Sequence, residues 1–195
     1  MRTSATNARL LAALSLSLAM AAGLPASGAE EYAIDPAHTA VVFRIEHGGF
    51  SWTYGRFNDV SGSFAVDPAR PEDSRFEFAI KADSLDTGNA KREGHLKSPD
   101  FFNAKQFPAI TFKSTSVSKA ADGLKVAGDL TLHGVTKPVS FVLKGGKTGE
   151  FPPNVHRTGY STELAVNRSE FGMDKMIPDV GDRVEILVSF EGTHP

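Results

Sequence analysis

The chain has no cysteine among its 195 residues. No disulfide staples the fold, no thiol serves as a nucleophile, and no cysteine at a mature N-terminus offers a site for lipid attachment. A basic block is missing too. The 21 Lys and Arg stand against 23 Asp and Glu, a formal charge of −2, which argues against nucleic acid or an anionic membrane surface as partner. No apolar run reaches the roughly 20 residues that a membrane-spanning helix needs. Absent as well are a GxSxG elbow, a glycine-rich phosphate loop and any HxH or HxxxH pair from which a zinc site is built. The six histidines, His38, His47, His95, His133, His156 and His194, are scattered. No catalytic residue, metal or cofactor is assigned, and an active site assembled from distant residues stays open as a minority reading.

What is present begins with an N-terminal leader. Arg2 and Arg9 precede an apolar run from Leu10 to Gly23, and Ser27-Gly28-Ala29 supplies the small residues a signal peptidase reads. Residues 1–29 are expected to be a cleaved signal peptide and 30–195 a single domain. The mature protein is then expected free in the periplasm. Losing Arg2 and Arg9 from the 21 basic residues leaves 19 against 23 acidic ones, a formal charge of −4.

The domain alternates with period two, the mark of half-buried strands. Val41, Phe43 and Ile45 alternate with polar or outward positions, as do Phe76, Phe78 and Ile80. The pattern continues through Ile110 and Phe112, Leu124 to Leu132, Val139 to Leu143, Tyr160 to Val166 and Val184 to Phe190. With Arg56–Val66 this makes eight strands. The parity of that last segment changes between Phe57 and Val60, which suggests a bulge near Gly62. Eight mostly antiparallel strands point to a closed all-β barrel, whose interior is either just filled by side chains or just roomy enough for one small ligand.

One connection is too long for a structureless loop. Residues 82–109, between the third and fourth of these strands, are expected to contain helix. Asn89–Lys97 carries helix formers interrupted by Gly94, and Ser98-Pro99-Asp100 is a start signal for a further turn. Pro108 then forces Phe107 into an extended conformation at the head of the next strand.

Five segments in order, YAIDPAHTAVVFRIEH, GRFNDVSGSF, SLDTGNAKREGHLKSPDFFNAKQFPAITFKS, GDLTLHGVTKPVSF and NRSEFGMDKMIPDVGDRVEI, resemble the YceI-like family, also described as polyisoprenoid-binding. The resemblance runs from Tyr32 to Glu191. It implies an eight-stranded, lipocalin-like antiparallel barrel that holds a long amphiphilic isoprenoid, such as a polyprenyl phosphate or a quinone, and in many members a homodimer. Two other readings stand beside it: a filled barrel acting as a stress-linked interaction module, and an enzyme acting on a lipoquinone.

On the residues themselves, Phe43, Ile45, Phe57, Phe76, Phe78, Phe112, Leu130 and Phe141 fall on the inward parity, and Phe101 and Phe102 sit in the insertion where they would cover an opening. Filling a core is reason enough for such rings, at about 1.5 to 3 kcal/mol each. The resemblance turns them into the lining of a hollow. Burial of an isoprene unit at about 0.8 kcal/mol per carbon overstates selectivity, because the membrane that competes for the chain is equally apolar. Fit and headgroup contacts must then discriminate. Headgroup candidates are Asn89, Arg92 and His95 in the insertion, with Arg168 and Asp174 between the last two strands. The plainer reading of Arg92 is a solvated helix face, and of Arg168 packing across the barrel end.

Overall fold

The computed structural model describes residues 28–194, so the expected leader falls, apart from Gly28 and Ala29, outside the described residues. The strands are β1 (Glu30–Ile34), β2 (Ala40–His47), β3 (Ser51–Phe57), β4 (Val60–Val66), β5 (Arg75–Lys81), β6 (Leu85–Asp86), β7 (Ala109–Ala120), β8 (Gly123–Leu132), β9 (Val135–Glu150), β10 (His156–Asn167) and β11 (Val180–His194). One helix, α1 (Ala90–Leu96), lies between β6 and β7.

Every pairing is antiparallel, and the sheet closes because β1 pairs with both β4 and β11. The wall has eight strand positions. Two of them are broken: β1 and β2 lie end to end along the one long strand β11, and β3 continues into β4. A single helical turn at Pro36–His38 makes the first break, capped by the Asp35 carboxylate, which accepts from Ala37 N. The second break is at Asn58-Asp59. There Asn58 N donates to Ser84 O and Asp59 N to Ser84 Oγ, so the kink is tied down by the start of the insertion.

That kink corrects the expectation of a bulge near Gly62, since β4 runs against β5 without a register shift from Val60 to Ala65. The change of parity between buried Phe57 and buried Val60 is absorbed at Asn58-Asp59, three to four residues before the glycine. Register shifts occur instead between Ser114 and Ser116, Gly159 and Tyr160, and Val180 and Val184, where they curve long strands around the barrel. The two-residue turn His133-Gly134 joins β8 to β9 with both residues at positive φ, the geometry that matches strand twist in a tight hairpin.

Side chains inside the barrel form two clusters. At one end Tyr32, Phe64, Phe76, Tyr160 and Phe190 pack ring against ring, with Val126 in the same cluster. Phe64 stacks on Tyr32 at 5.2 Å and on Phe76 at 5.7 Å, and meets Phe190 edge-on at 5.3 Å. This end is solid. At the other end Val41, Phe43, Phe57, Val60, Ile110 and Leu132 line the wall, and Phe171 and Met173 from the loop before β11 pack among them.

The insertion crosses this second end. Asn89 caps α1 by accepting from Arg92 N at 3.0 Å, and the Glu93 carboxylate reaches back to accept from Thr87 N and Asn89 N. The helix runs through Gly94 without interruption, because these reciprocal bonds hold its first turn. Chain reversal after the helix uses backbone bonds from Phe102 N to Leu96 O and Ala104 N to Lys97 O.

Candidate functional site

Between the solid end and the insertion lies a cavity of about 330 Å³. Volumes of 300 to 1,000 Å³ are usual for small-molecule sites. Its walls are almost entirely carbon. Phe43 and Ile45 of β2, Phe57 of β3, Phe78 of β5 and Phe112 of β7 reach it. So do Leu130 of β8 and Phe141 of β9, and the insertion closes the top with Leu96, Phe101 and Phe102. Phe102 meets Phe57 edge-on at 5.5 Å, which links lid to wall.

Phe76, expected in the lining, does not reach the cavity. It shares the inward parity of Phe78 but sits two residues deeper, fully buried in the solid end. Phe107, just ahead of β7, does not line the cavity and packs against His133 at 4.8 Å. A β-carbon on Gly134 would stand 2.5 Å from the same ring.

The hollow exists because rings lie flat against the wall. A β-carbon on Gly55 would sit 2.3 Å from the Phe43 ring, and one on Gly128 would sit 2.5 Å from the Phe112 ring. Each ring takes the place of a side chain missing from the adjacent strand, so it thickens the wall without crossing the lumen.

Polar groups that touch the lining fall into two sets. The first is satisfied by the protein itself: Thr39 Oγ1 donates to Asp35 O, Thr162 Oγ1 to Val142 O, and the buried Arg168 to three backbone carbonyls. Arg168 Nε donates to Gly181 O at 2.8 Å, Nη1 to Met173 O at 2.6 Å and Nη2 to Val180 O at 3.0 Å. Its guanidinium lies 5.7 Å from the Phe101 ring, and burial lowers its pKa. Arg168 thus splices the loop before β11 to the barrel end. The second set, His47, Thr53, Arg92 and His95, gathers at the rim between the β2–β3 hairpin and α1.

Of the headgroup candidates, Arg92, His95 and Arg168 line the cavity, while Asn89 is the helix cap and Asp174 is an exposed loop residue; neither lines the cavity. Arg92 donates through Nε to Thr87 Oγ1 and through Nη2 to Thr87 O. His95 Nε2 lies 3.1 Å from Asp100 Oδ2, with its ring edge-on to Phe101 at 5.0 Å.

A model of the YceI-like domain matches residues 32–192. The chain belongs to the YceI family. It is 39% identical over 186 residues to a UPF0312 protein of Pseudomonas aeruginosa, covering 94% of this chain and 97% of that one. Protein YceI of Salmonella paratyphi B is 40% identical over 166 residues, 84% of this chain and 87% of the relative. Among solved structures, the YceI protein of Campylobacter jejuni matches with a TM-score of 0.69 at 27% identity, over 77% of this chain and 90% of that one. BcnA of Burkholderia cenocepacia matches in fold with a TM-score of 0.74 at 23% identity, over 81% and 98% of the two chains. A polyisoprenoid binding domain from Saccharophagus degradans shares the fold with a TM-score of 0.63 at 17% identity, over 84% and 98%.

Two features of this YceI-like barrel escaped the sequence reading. Met173 and Met176 contribute to the lining from a loop with no periodicity to reveal them, whereas Phe190 was visible as an inward residue of the last strand. Asp35, His38 and Glu191 also converge. His38 Nδ1 lies 2.7 Å from Asp35 Oδ2. Arg157 Nη1 stands 2.7 Å from Asp35 and 2.6 Å from Glu191, so these carboxylates already share a cation.

Proposed function

We propose that this protein binds one long-chain isoprenoid or similar amphiphile, with the tail in the barrel and the headgroup at the rim, and that it does so in the periplasm once residues 1–29 are removed. The observation that carries the proposal is the contrast within the lining: carbon along its depth, with Thr39, Thr162 and Arg168 tied to backbone carbonyls, and the polar side chains of His47, Thr53, Arg92 and His95 gathered near the rim. A lumen of that kind favours an apolar chain with a polar end outside.

Further support comes from the domain of the same fold described as polyisoprenoid-binding. Binding rather than catalysis fits the walls, where no nucleophile stands beside a base. His95 is held by Asp100, and Arg92 is held by Thr87 through Nε and Nη2, which leaves the Nη1 hydrogens of Arg92 as donors for a headgroup. A phosphate or a quinone oxygen would suit such donors.

Purification from native periplasm without detergent, followed by organic extraction and mass spectrometry, tests the proposal. One lipid species near one copy per barrel is expected. Protein that repeatedly yields no lipid after gentle purification would contradict it and favour the interaction-module reading.

A further inference from the structure

The depth of the cavity is set by a single layer of side chains. Phe190 is 1% exposed, lines the floor of the cavity, and is surrounded by four rings. Phe78 lies 4.9 Å away, Phe64 5.3 Å, Tyr160 5.8 Å and Phe76 6.4 Å. Of these four only Phe78 also faces the cavity; the other three belong to the solid end beneath it. That solid end is held in place. Phe64 is stacked between Tyr32 and Phe76, and it lies so close over Gly192 that a β-carbon there would be 2.4 Å from its ring. A chain descending through the lumen therefore ends on Phe78 and Phe190, against a base that cannot yield without repacking.

We propose that Phe78 and Phe190 are the specificity-determining stop for chain length: the protein selects linear apolar chains by where the terminal carbons meet these two rings. This inference rests on the reading of the lumen as a lipid site and adds a ruler to it. Because surroundings collapse only partly when a buried ring is removed, truncation at the floor should lengthen the accessible lumen. Adding a ring to the wall beside the floor should shorten it. Val139 of β9 suits that second purpose, since it lines the cavity and pairs with Gly128, the glycine beneath the Phe112 ring.

The test uses the mature protein and its Phe78→Ala, Phe190→Ala and Val139→Phe variants, each stripped of lipid and offered an equimolar series of linear isoprenoid alcohols from geraniol upward. Native mass spectrometry reads the chain lengths retained. Phe78→Ala and Phe190→Ala should move the preferred length up by about one isoprene unit, and Val139→Phe should move it down. Phe78 has one face towards the lumen, so its variant remains informative even if Phe190→Ala does not fold. An unchanged length distribution in folded variants, including uniformly weaker retention, would overturn the ruler while leaving the lipid site standing. Retention of no alcohol by the parent protein would overturn both.

Discussion

The ring of Phe43 on β2 lies across Gly55 of β3, its direct cross-strand partner, at a distance that leaves no room for a β-carbon. This pairing reconciles a phenylalanine-rich interior with an open lumen. A ring that rests on bare backbone is part of the wall; a ring displaced by a methyl group would swing into the hollow.

Gly55→Ala should therefore cost about 1 to 3 kcal/mol through overpacking and should reduce the amount of lipid retained. Adding Phe43→Leu should restore part of both losses, because the two changes act on one contact. Urea denaturation and lipid quantification on the single and double variants check this. Additive effects of the two changes would show that ring and glycine are not coupled.

Arg168 is a structural cation. Its three acceptors, the carbonyls of Met173, Val180 and Gly181, belong to the loop that carries Met173 and Met176 to the cavity and to the start of β11. Arg168→Met should destabilise the fold by about 3 kcal/mol, since buried carbonyls lose their donors. A chemical denaturation midpoint is the readout. Arg168→Lys should fare only partly better, as one ammonium lacks the planar fork that serves three divergent acceptors.

The lid depends on the Asn89 cap. Asn89→Ala should cost about 1 kcal/mol, felt locally as faster amide exchange in Ala90–Leu96 with the barrel strands unchanged. Lipid should dissociate faster from this variant, although Asn89 itself lies off the cavity lining. Hydrogen exchange by residue, with an off-rate measurement, distinguishes this from a direct headgroup contact, which would leave helix exchange unaltered.

Acid should weaken the junction of β1 and β2. Hydrogen bonding from His38 first, then from Arg157, lowers the pKa of Asp35 from 3.8 to about 2. A carboxyl whose folded-state pKa is depressed contributes stability that is fully present above its unfolded value and is lost as pH falls through the folded one. The stability gap between the parent protein and Asp35→Asn should therefore be constant above about pH 4 and shrink progressively towards about pH 2. Denaturation midpoints across an acid series measure it. A gap that does not change with pH would remove Asp35 as the source.

Much of the wall was legible because period two reports which face of a strand a residue occupies. It does not report height along the barrel. Phe76 and Phe78 have the same parity, yet one is sealed in the solid end and the other borders the lumen. The strand β1 was missed because only Tyr32 and Ile34 of its five residues turn inward, too short a run to stand out. The kink at Asn58-Asp59 was displaced to Gly62 because a glycine is the stronger local signal, whereas the actual break depends on Ser84, a partner 25 residues away from Asp59. Polar residues of the insertion were gathered as headgroup candidates by proximity in sequence. Only the geometry separates Arg92 and His95, which reach the rim, from Asn89, which caps the helix.

The most direct test of the lumen as a lipid site is the lipid content of Phe112→Asp beside that of the parent protein, both purified without detergent and shown to be folded by circular dichroism. Phe112 lines the cavity and packs against Phe141 at 5.2 Å, so a carboxylate there would place charge against an apolar chain at a prohibitive desolvation cost. About one lipid per barrel in the parent and none in the variant is the predicted result. Equal lipid in the two folded proteins would contradict it.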